Sequence, residues 1–257
     1  MTNPRVLLYC PVLDKPLPET AKAIKRLTFD GSVTIEIGRE NPYGKGDYRN
    51  VLAQYQHAWE MALDGGYDAL LTVEHDIIPP SDALEKLWQA GAPVAYGCYR
   101  FRTSNVINLW RYANKHGLDS SLSLFPDDLR PAMSVGVVKV SGVGFGCTLI
   151  RKAVLEKIKP RPDDDNGLSV DIAFAKDCLK NDINQLGHFG VMCGHIEKGE
   201  ILWPFENRQG PLAPVKALMH VNISHYGRTL QLVKGARYDI DAEQAKDLAR
   251  AGFVEVL

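Results

Sequence analysis

The sequence predicts an α/β fold, a mixed and mostly parallel sheet with helices on its faces, followed by a small C-terminal α+β appendage. Short apolar runs alternate with stretches of helical periodicity through the first hundred residues, an order that implies parallel strands joined by right-handed crossovers. Glycine, proline and capping residues mark the boundaries between these runs. A chain of 257 residues with 45% hydrophobic and 24% charged residues is long and apolar enough for one large domain with an extensive core.

The elements follow in order. Arg5 to Cys10 (RVLLYC) is an apolar strand ended by Pro11, and Ala21, Ile24 and Leu27 stand at helical spacing after Pro18. Val33 to Ile37 is β-branched and alternating. Asn50 to Leu63 places Leu52, Tyr55, Trp59, Ala62 and Leu63 on one stripe and stops at Asp64-Gly65-Gly66, a strong amphipathic helix. Ala69 to Val73 (ALLTV) reads as a buried strand. Pro79-Pro80-Ser81 supplies a stop and an N-cap for a helix with Leu84, Leu87 and Trp88 inward, and Pro93 to Tyr99 is the next strand.

Residues 100 to 135 hold Phe101, Trp110 and Tyr112 and a loop around Pro126 to Pro131, too long for a simple connection and suited to a lid or binding element. Val135 to Ile150 contains two strand-like runs around Gly142, Gly144 and Gly146, and a helix follows from Lys152 to Ile158. The acidic loop Pro160 to Gly167 leads into a helix from Val170. Near the C-terminus, Leu230 to Val233 and Ala236 to Ile240 read as strands, Asp241 with Gln244 caps a helix to Ala251, and Phe253 to Leu257 closes as a strand. The expected division is a domain over residues 1–227 and a module over 228–257.

Composition excludes several classes. Thirty Lys+Arg against 31 Asp+Glu leave a formal charge of -1, so no whole-chain field attracts nucleic acid or an anionic membrane. No apolar run approaches the roughly 20 residues of a membrane span, and the N-terminus lacks a signal-peptide core. A cytoplasmic protein is expected. Cys10, Cys98, Cys147, Cys178 and Cys193 are odd in number and include no Cys-x-x-Cys pair, so they read as buried free thiols.

Glu74-His75-Asp76 follows the ALLTV strand and precedes the Pro-Pro turn. Alternation along an extended backbone sends Glu74 and Asp76 to one side, where both carboxylates converge on a hard divalent cation. The same spacing at Asp163/Asp165 and Asp239/Asp241 carries no such meaning, because the C-terminal end of a strand in a doubly wound sheet is where these folds bind ligands. Elsewhere, the Gly-Lys-Gly around Lys45 lacks P-loop spacing, which argues against NTP hydrolysis, and Gly142, Gly144 and Gly146 sit too late for a dinucleotide fingerprint.

Four ordered blocks carry a resemblance: Arg49-Asn50 opening a long helix, YDALLTVEHDIIPPSDALEKL, GVGFGCTLIRKAVLEKI, and DIAFAKDCLKNDINQLGHFGVMCGHI. Over residues 5 to about 200 the chain resembles GT-A glycosyltransferases related to family 2. The resemblance implies a GT-A fold, Mn²⁺ or Mg²⁺ at the acidic-x-Asp motif, and a nucleotide-sugar donor such as a UDP- or GDP-sugar. It implies Asp76 as the principal metal ligand, with Glu74 beside it where the family more often has Asp, and His195 as a third ligand. It places Arg49 and Asn50 near the nucleotide and Gly144 on the edge approached by the donor sugar. It gives Asp171 the role of general base in an inverting transfer, although Val170 stands where the family carries a second acid. On residue type alone, Asp171 is a first-turn carboxylate favourable to its helix dipole and His195 a structural histidine.

The expected function is transfer of a sugar to an acceptor hydroxyl on a glycan, a modified nucleobase or a small molecule. One competing reading is a sugar nucleotidyltransferase, against which stands the absence of a Gly-rich basic loop after the first strand; that position reads Pro11-Val12-Leu13-Asp14-Lys15-Pro16. Another is a non-catalytic nucleotide-sugar or glycan-binding protein. The tail VKGARYDIDAEQAKDLARAGFVEVL resembles C-terminal modules frequent in bacteriophage proteins, which implies a phage source.

Overall fold

The computed structural model describes residues 3–44, 46–101, 107–109, 136–164, 167, 169–204, 212–225 and 228–257. Lys45, Trp110, Tyr112, the segment around Pro126 to Pro131, and Asp165 lie outside the described residues. The chain divides into two compact units, residues 1–204 and 205–257.

The larger unit is a mixed α/β fold. Strands β1 (Arg5–Pro11), β2 (Ser32–Gly38), β3 (Ala69–Val73), β5 (Val94–Cys98), β6 (Val137–Lys139), β7 (Cys147–Arg151) and β8 (Gln185–Met192) form a sheet in the order β2-β1-β3-β7-β5-β8-β6. Strands β2, β1, β3, β5 and β8 run parallel, and β7 and β6 run against them. The run of buried positions in β1 and β3 is what a central parallel strand covered on both faces requires, whereas edge strand β2 is exposed or half-buried at every position but Gly38. Helices α1 (Pro18–Ile24), α2 (Arg49–Asp64), α3 (Ala83–Gln89), α4 (Lys152–Lys157) and α5 (Val170–Lys180) complete the unit. A second sheet joins the two-residue strand β4 (Ile77–Ile78) to β9 (Gly194–Glu197) and β10 (Glu200–Leu202).

The turns have specific chemistry. Helix α2 ends as anticipated at Gly65-Gly66: Gly66 has φ 66° and donates to the Leu63 carbonyl, while Tyr67 N–H reaches back to the Ala62 carbonyl. That pair of bonds is a Schellman motif. The β9–β10 hairpin turns on Lys198 (φ 49°) and Gly199 (φ 84°), the left-handed pair a two-residue hairpin demands.

Some expectations are corrected. The N-cap of α3 is Asp82 and not Ser81, without a side-chain bond to the backbone. The buried stripe of α2 is rotated from the expected one: Asn50, Gln54, Tyr55, Ala58, Trp59 and Ala62 face inward and Leu52 and Leu63 only flank it. The cause is that two amides stay buried by bonding backbone. Gln54 Oε1 accepts from Val12 N–H and its Nε2 donates to the Val12 carbonyl, both at 2.8 Å. Asn50 does the same for the loop at Tyr43, accepting from its N–H at 2.9 Å and donating to its carbonyl at 3.2 Å. Gly142 is a bridge residue, while Gly144 and Gly146 lie in the turn that leads into β7. All five cysteines are buried free thiols, as the sequence implies.

The smaller unit contains β11 (Leu212–Ala217), β12 (Val221–His225), β13 (Arg228–Leu232), β14 (Arg237–Asp241), α6 (Ala242–Arg250) and β15 (Val254–Val256). Strand β11 is paired with β14 and β15, so residues 212 to 217, expected on the N-terminal side of a boundary at 227/228, pack within this unit. Val215, Ala217, Leu232, Ala245, Leu248 and Val254 make its core. A chain ended after Pro204 is therefore expected to resist limited proteolysis, whereas one ended after Thr229 loses both partners of β11 and is cut between residues 205 and 229. Equal resistance of the two truncations would contradict this division.

Candidate functional site

Three strand ends and one helix start place the predicted residues. Glu74 and Asp76 follow β3, His195 is the second residue of β9, Gly144 precedes β7, and Asp171 lies in the first turn of α5. Beyond Val73 the chain does not continue extended as the alternation argument assumed. The Ile77 N–H bonds the Glu74 carbonyl at 3.0 Å, closing a turn over residues 74–77. The two carboxyl groups consequently take different partners.

Asp76 is 3% exposed, and its Oδ2 lies 3.5 Å from His195 Nε2. Pairing of Ile77 with His195 in the β4–β9 ladder, and the 2.8 Å bond from Ile196 N–H to the Asp76 carbonyl, hold the two residues in register. His195 Nδ1 is 2.7 Å from the Arg100 carbonyl, which can only accept, so Nδ1 carries a proton. Nε2 is thereby turned toward Asp76, the orientation a backbone-anchored metal ligand adopts. His75, on the other side of the turn, has a 47% exposed side chain and stands 3.8 Å from Asp76 Oδ1.

Glu74 Oε1 instead accepts a 3.0 Å hydrogen bond from the Tyr55 hydroxyl, and its backbone N–H binds the Gly146 carbonyl. Its carboxyl is pushed up to about 7, first by burial and then by the negative charges of Asp76 and Asp171. In the folded, metal-free protein this carboxyl keeps its proton to about pH 7, while the unfolded chain releases it near 4.5. As pH rises between those values the folded state binds more protons than the unfolded state, so this group subtracts stability across that window and the loss is complete above it. Glu74→Gln is expected to flatten the fall in melting temperature between about pH 5 and 7.5. Superposable wild-type and variant profiles would contradict the assignment.

Asp171 is half-buried, with Oδ1 accepting from the Ile172 N–H at 2.9 Å, and burial raises its proton affinity. It belongs to the same electrostatic neighbourhood, since its charge also raises Glu74 and the hydroxyls of Tyr55 and Tyr99. Gly144 is beside it: a Cβ there would stand 3.3 Å from Asp171 Oδ2 and collide with the Tyr99 hydroxyl. Two nearby acids are otherwise engaged. Asp163 is 3% exposed and paired with Lys176 Nζ at 2.9 Å, and Asp177 takes Arg161 Nε and Nη2 at 2.8 and 2.9 Å. These pairs fasten the acidic loop to α5.

Arg49 and Asn50 stand elsewhere in local bonding terms. Arg49 pairs with Asp47 at 2.6 Å, lies over the Tyr43 ring and keeps a 56% exposed side chain. Asn50 is fully buried and committed to the backbone of Tyr43 and Gly44. The structure thus joins Asp76 to His195, sets Glu74, Asp171 and Gly144 around them, and gives Arg49 and Asn50 loop-holding contacts. Tyr55, Tyr99 and Asn108 were not singled out in the sequence; Tyr55 reads there as one more apolar stripe position. Among the described residues, no group of three His, Cys, Asp or Glu side chains gathers to hold a metal ion.

No family model matches the chain, and none of the curated proteins does. A solved structure, A197 from STIV, is similar with a TM-score of 0.54 at 20% identity, over 78% of this chain and 90% of that one. At that identity the likeness shows the shared fold. Among the described residues, no helix is long and apolar enough to cross a membrane.

Proposed function

We propose that the site where β3 ends and β9 begins binds a nucleoside-diphosphate sugar together with one Mn²⁺ or Mg²⁺ ion and transfers the sugar to an acceptor hydroxyl, as in GT-A glycosyltransferases. The observation that carries this reading is the buried meeting of Asp76 Oδ2 and His195 Nε2 at 3.5 Å, with His195 Nδ1 tied to the Arg100 carbonyl. The mixed sheet flanked by helices is of the kind the sequence resemblance implies. One carboxylate and one imidazole suit a cation that keeps several waters and takes its remaining ligands from substrate phosphates. When bound, that cation would neutralise the departing nucleoside diphosphate.

The chain's own residues supply the rest. Asp76 and His195 fix the diphosphate end. Glu74, hydrogen-bonded to the Tyr55 hydroxyl through Oε1, lines the site beside Asp76. Asp171, from the first turn of α5, takes the proton of the attacking acceptor hydroxyl, and its burial raises its basicity toward that task. With Asp171 as the base, the proposed transfer is inverting.

A non-catalytic nucleotide-sugar or glycan-binding protein is the second reading. It is favoured by the absence, among the described residues, of a group of three His, Cys, Asp or Glu side chains at the cation position, and by a structural likeness that carries the fold without an activity. Incubation with UDP- and GDP-sugars, with and without Mn²⁺, separates the two. Metal-dependent release of nucleoside diphosphate supports transfer; binding with no release supports the second reading. His195→Ala is expected to weaken Mn²⁺ affinity about ten- to a hundredfold while leaving nucleotide affinity without metal within about twofold. Equal losses in both would leave His195 with a structural role.

A further inference from the structure

We propose that Asn108, acting with Tyr99, Asp171 and the bare face of Gly144, forms a subsite that accepts a hydrogen bond from a hydroxyl of the donor sugar and selects a neutral sugar over a sugar acid. The inference rests on the nucleotide-sugar reading above and adds a residue and a substrate class to it.

Asn108 is 6% exposed, and its Oδ1 is buried with no hydrogen-bond partner among the described residues. Its other amide atom is committed, since Nδ2 donates to the Tyr99 hydroxyl oxygen at 2.8 Å. The backbone between Tyr99 and Asn108 is closed on itself, with the Asn108 N–H bonding the Tyr99 carbonyl at 2.8 Å and Arg100 bridged to Ile107. The amide is therefore held in place and not a swinging surface group. A buried amide oxygen left without a donor is unfavourable and rare in native folds, and a ligand hydroxyl is one means of satisfying it.

The surroundings define that ligand. A Cβ on Gly144 would meet the Tyr99 hydroxyl, Asn108 Nδ2 at 2.7 Å and Asp171 Oδ2 at 3.3 Å, so three polar side chains converge on the one residue that offers no side chain. Gly146 is equally bare beneath the Tyr99 ring, where a Cβ would stand 2.6 Å from Cε1. The Tyr99 oxygen already receives bonds from Asn108 Nδ2 and, at 3.3 Å, from the Gly146 N–H, so its own proton is directed elsewhere. Burial holds that phenol neutral. The subsite thus offers two acceptors, Asn108 Oδ1 and Asp171 Oδ2, and one donor, the Tyr99 hydroxyl. Sugar hydroxyls, each both donor and acceptor, complement this set, whereas a carboxylate brings only acceptors toward Asn108 Oδ1 and Asp171.

The test is calorimetry with Mn²⁺ on the full chain, using UDP-glucose, UDP-galactose, GDP-mannose and dTDP-glucose alongside UDP, GDP and dTDP. For the tightest sugar nucleotide, Asn108→Ala is expected to lose about ten- to a hundredfold in affinity while the matching nucleoside diphosphate changes by less than about twofold. In the wild-type chain, which needs no variant to fold, replacing the sugar hydroxyls one at a time by fluorine should cost at least about tenfold at one position, and the same nucleotide's uronate should bind at least about tenfold more weakly. Tolerance of every fluoro sugar, or equal affinity for the uronate, overturns the subsite. A folded Asn108→Ala chain that binds sugar nucleotide as the wild type does overturns it too. In these cases nucleotide binding survives, so the proposed function stands; a chain that binds none of the nucleotides overturns both.

Discussion

Asp76→Asn is expected to lower the affinity for a nucleoside diphosphate in the presence of Mn²⁺ by at least about a hundredfold, about 2.7 kcal/mol, while the affinity without metal hardly changes. Asp76 stands in direct apposition to His195, and its side chain is nearly sealed from water, so the charge it offers a cation is little screened. The amide keeps the volume and discards the charge. The fold should tolerate this, because the backbone carbonyl of Asp76 keeps its bond from Ile196 N–H, and because the lost charge is one of those that drive up the proton affinity of Glu74. A melting temperature within a few degrees of the wild type is the expected control. Undiminished Mn²⁺-dependent binding would remove Asp76 from the cation site.

Asp171→Asn should separate binding from chemistry. The acceptor hydroxyl has a high pKa and sheds its proton as it attacks, so loss of a positioned base depresses transfer by about 10² to 10⁴-fold. The metal and the nucleoside diphosphate are held by other residues, and their affinities should remain within about twofold. The Asn oxygen can still accept from the Ile172 N–H, so only the charge near the helix N-terminus is lost locally, about 0.3 to 1 kcal/mol. Single-turnover transfer with saturating donor measures the effect. A wild-type rate would leave Asp171 with its helix-start role. Asp163 and Asp177 could replace it only by leaving their partners Lys176 and Arg161.

Much of the fold was legible because its signals are local. ALLTV is apolar at every position since both faces of β3 are covered, and the observed strand has the predicted bounds Ala69–Val73. Gly65-Gly66 ends α2 because the Schellman turn needs a positive φ at Gly66. What local pattern did not reveal depends on partners distant in sequence. The extended reading of Glu74-His75-Asp76 failed because a turn closes there and β4 pairs with β9, more than a hundred residues later. That same pairing brings Asp76 to His195, a juxtaposition the resemblance implied and spacing alone does not. Tyr55 looked like core because a tyrosine on an apolar stripe reveals nothing of the carboxylate its hydroxyl will meet. The resemblance places Asn50 near the nucleotide, and neither its buried amide nor that of Gln54 has a local signal, because their backbone partners lie in other loops.

The most direct measurement of the central claim is a titration of UDP, GDP, CMP and dTDP into the chain with and without Mn²⁺, followed by thermal shift and calorimetry. Ligand that binds the native state raises its stability by RT ln(1 + [L]/Kd), about 2.7 kcal/mol at a hundredfold excess over Kd. The account predicts that at least one nucleoside diphosphate stabilises the protein, that Mn²⁺ strengthens its binding at least about tenfold, and that the strengthening vanishes in Asp76→Asn. Nucleotide binding indifferent to Mn²⁺, or equally metal-dependent in the variant, would contradict it.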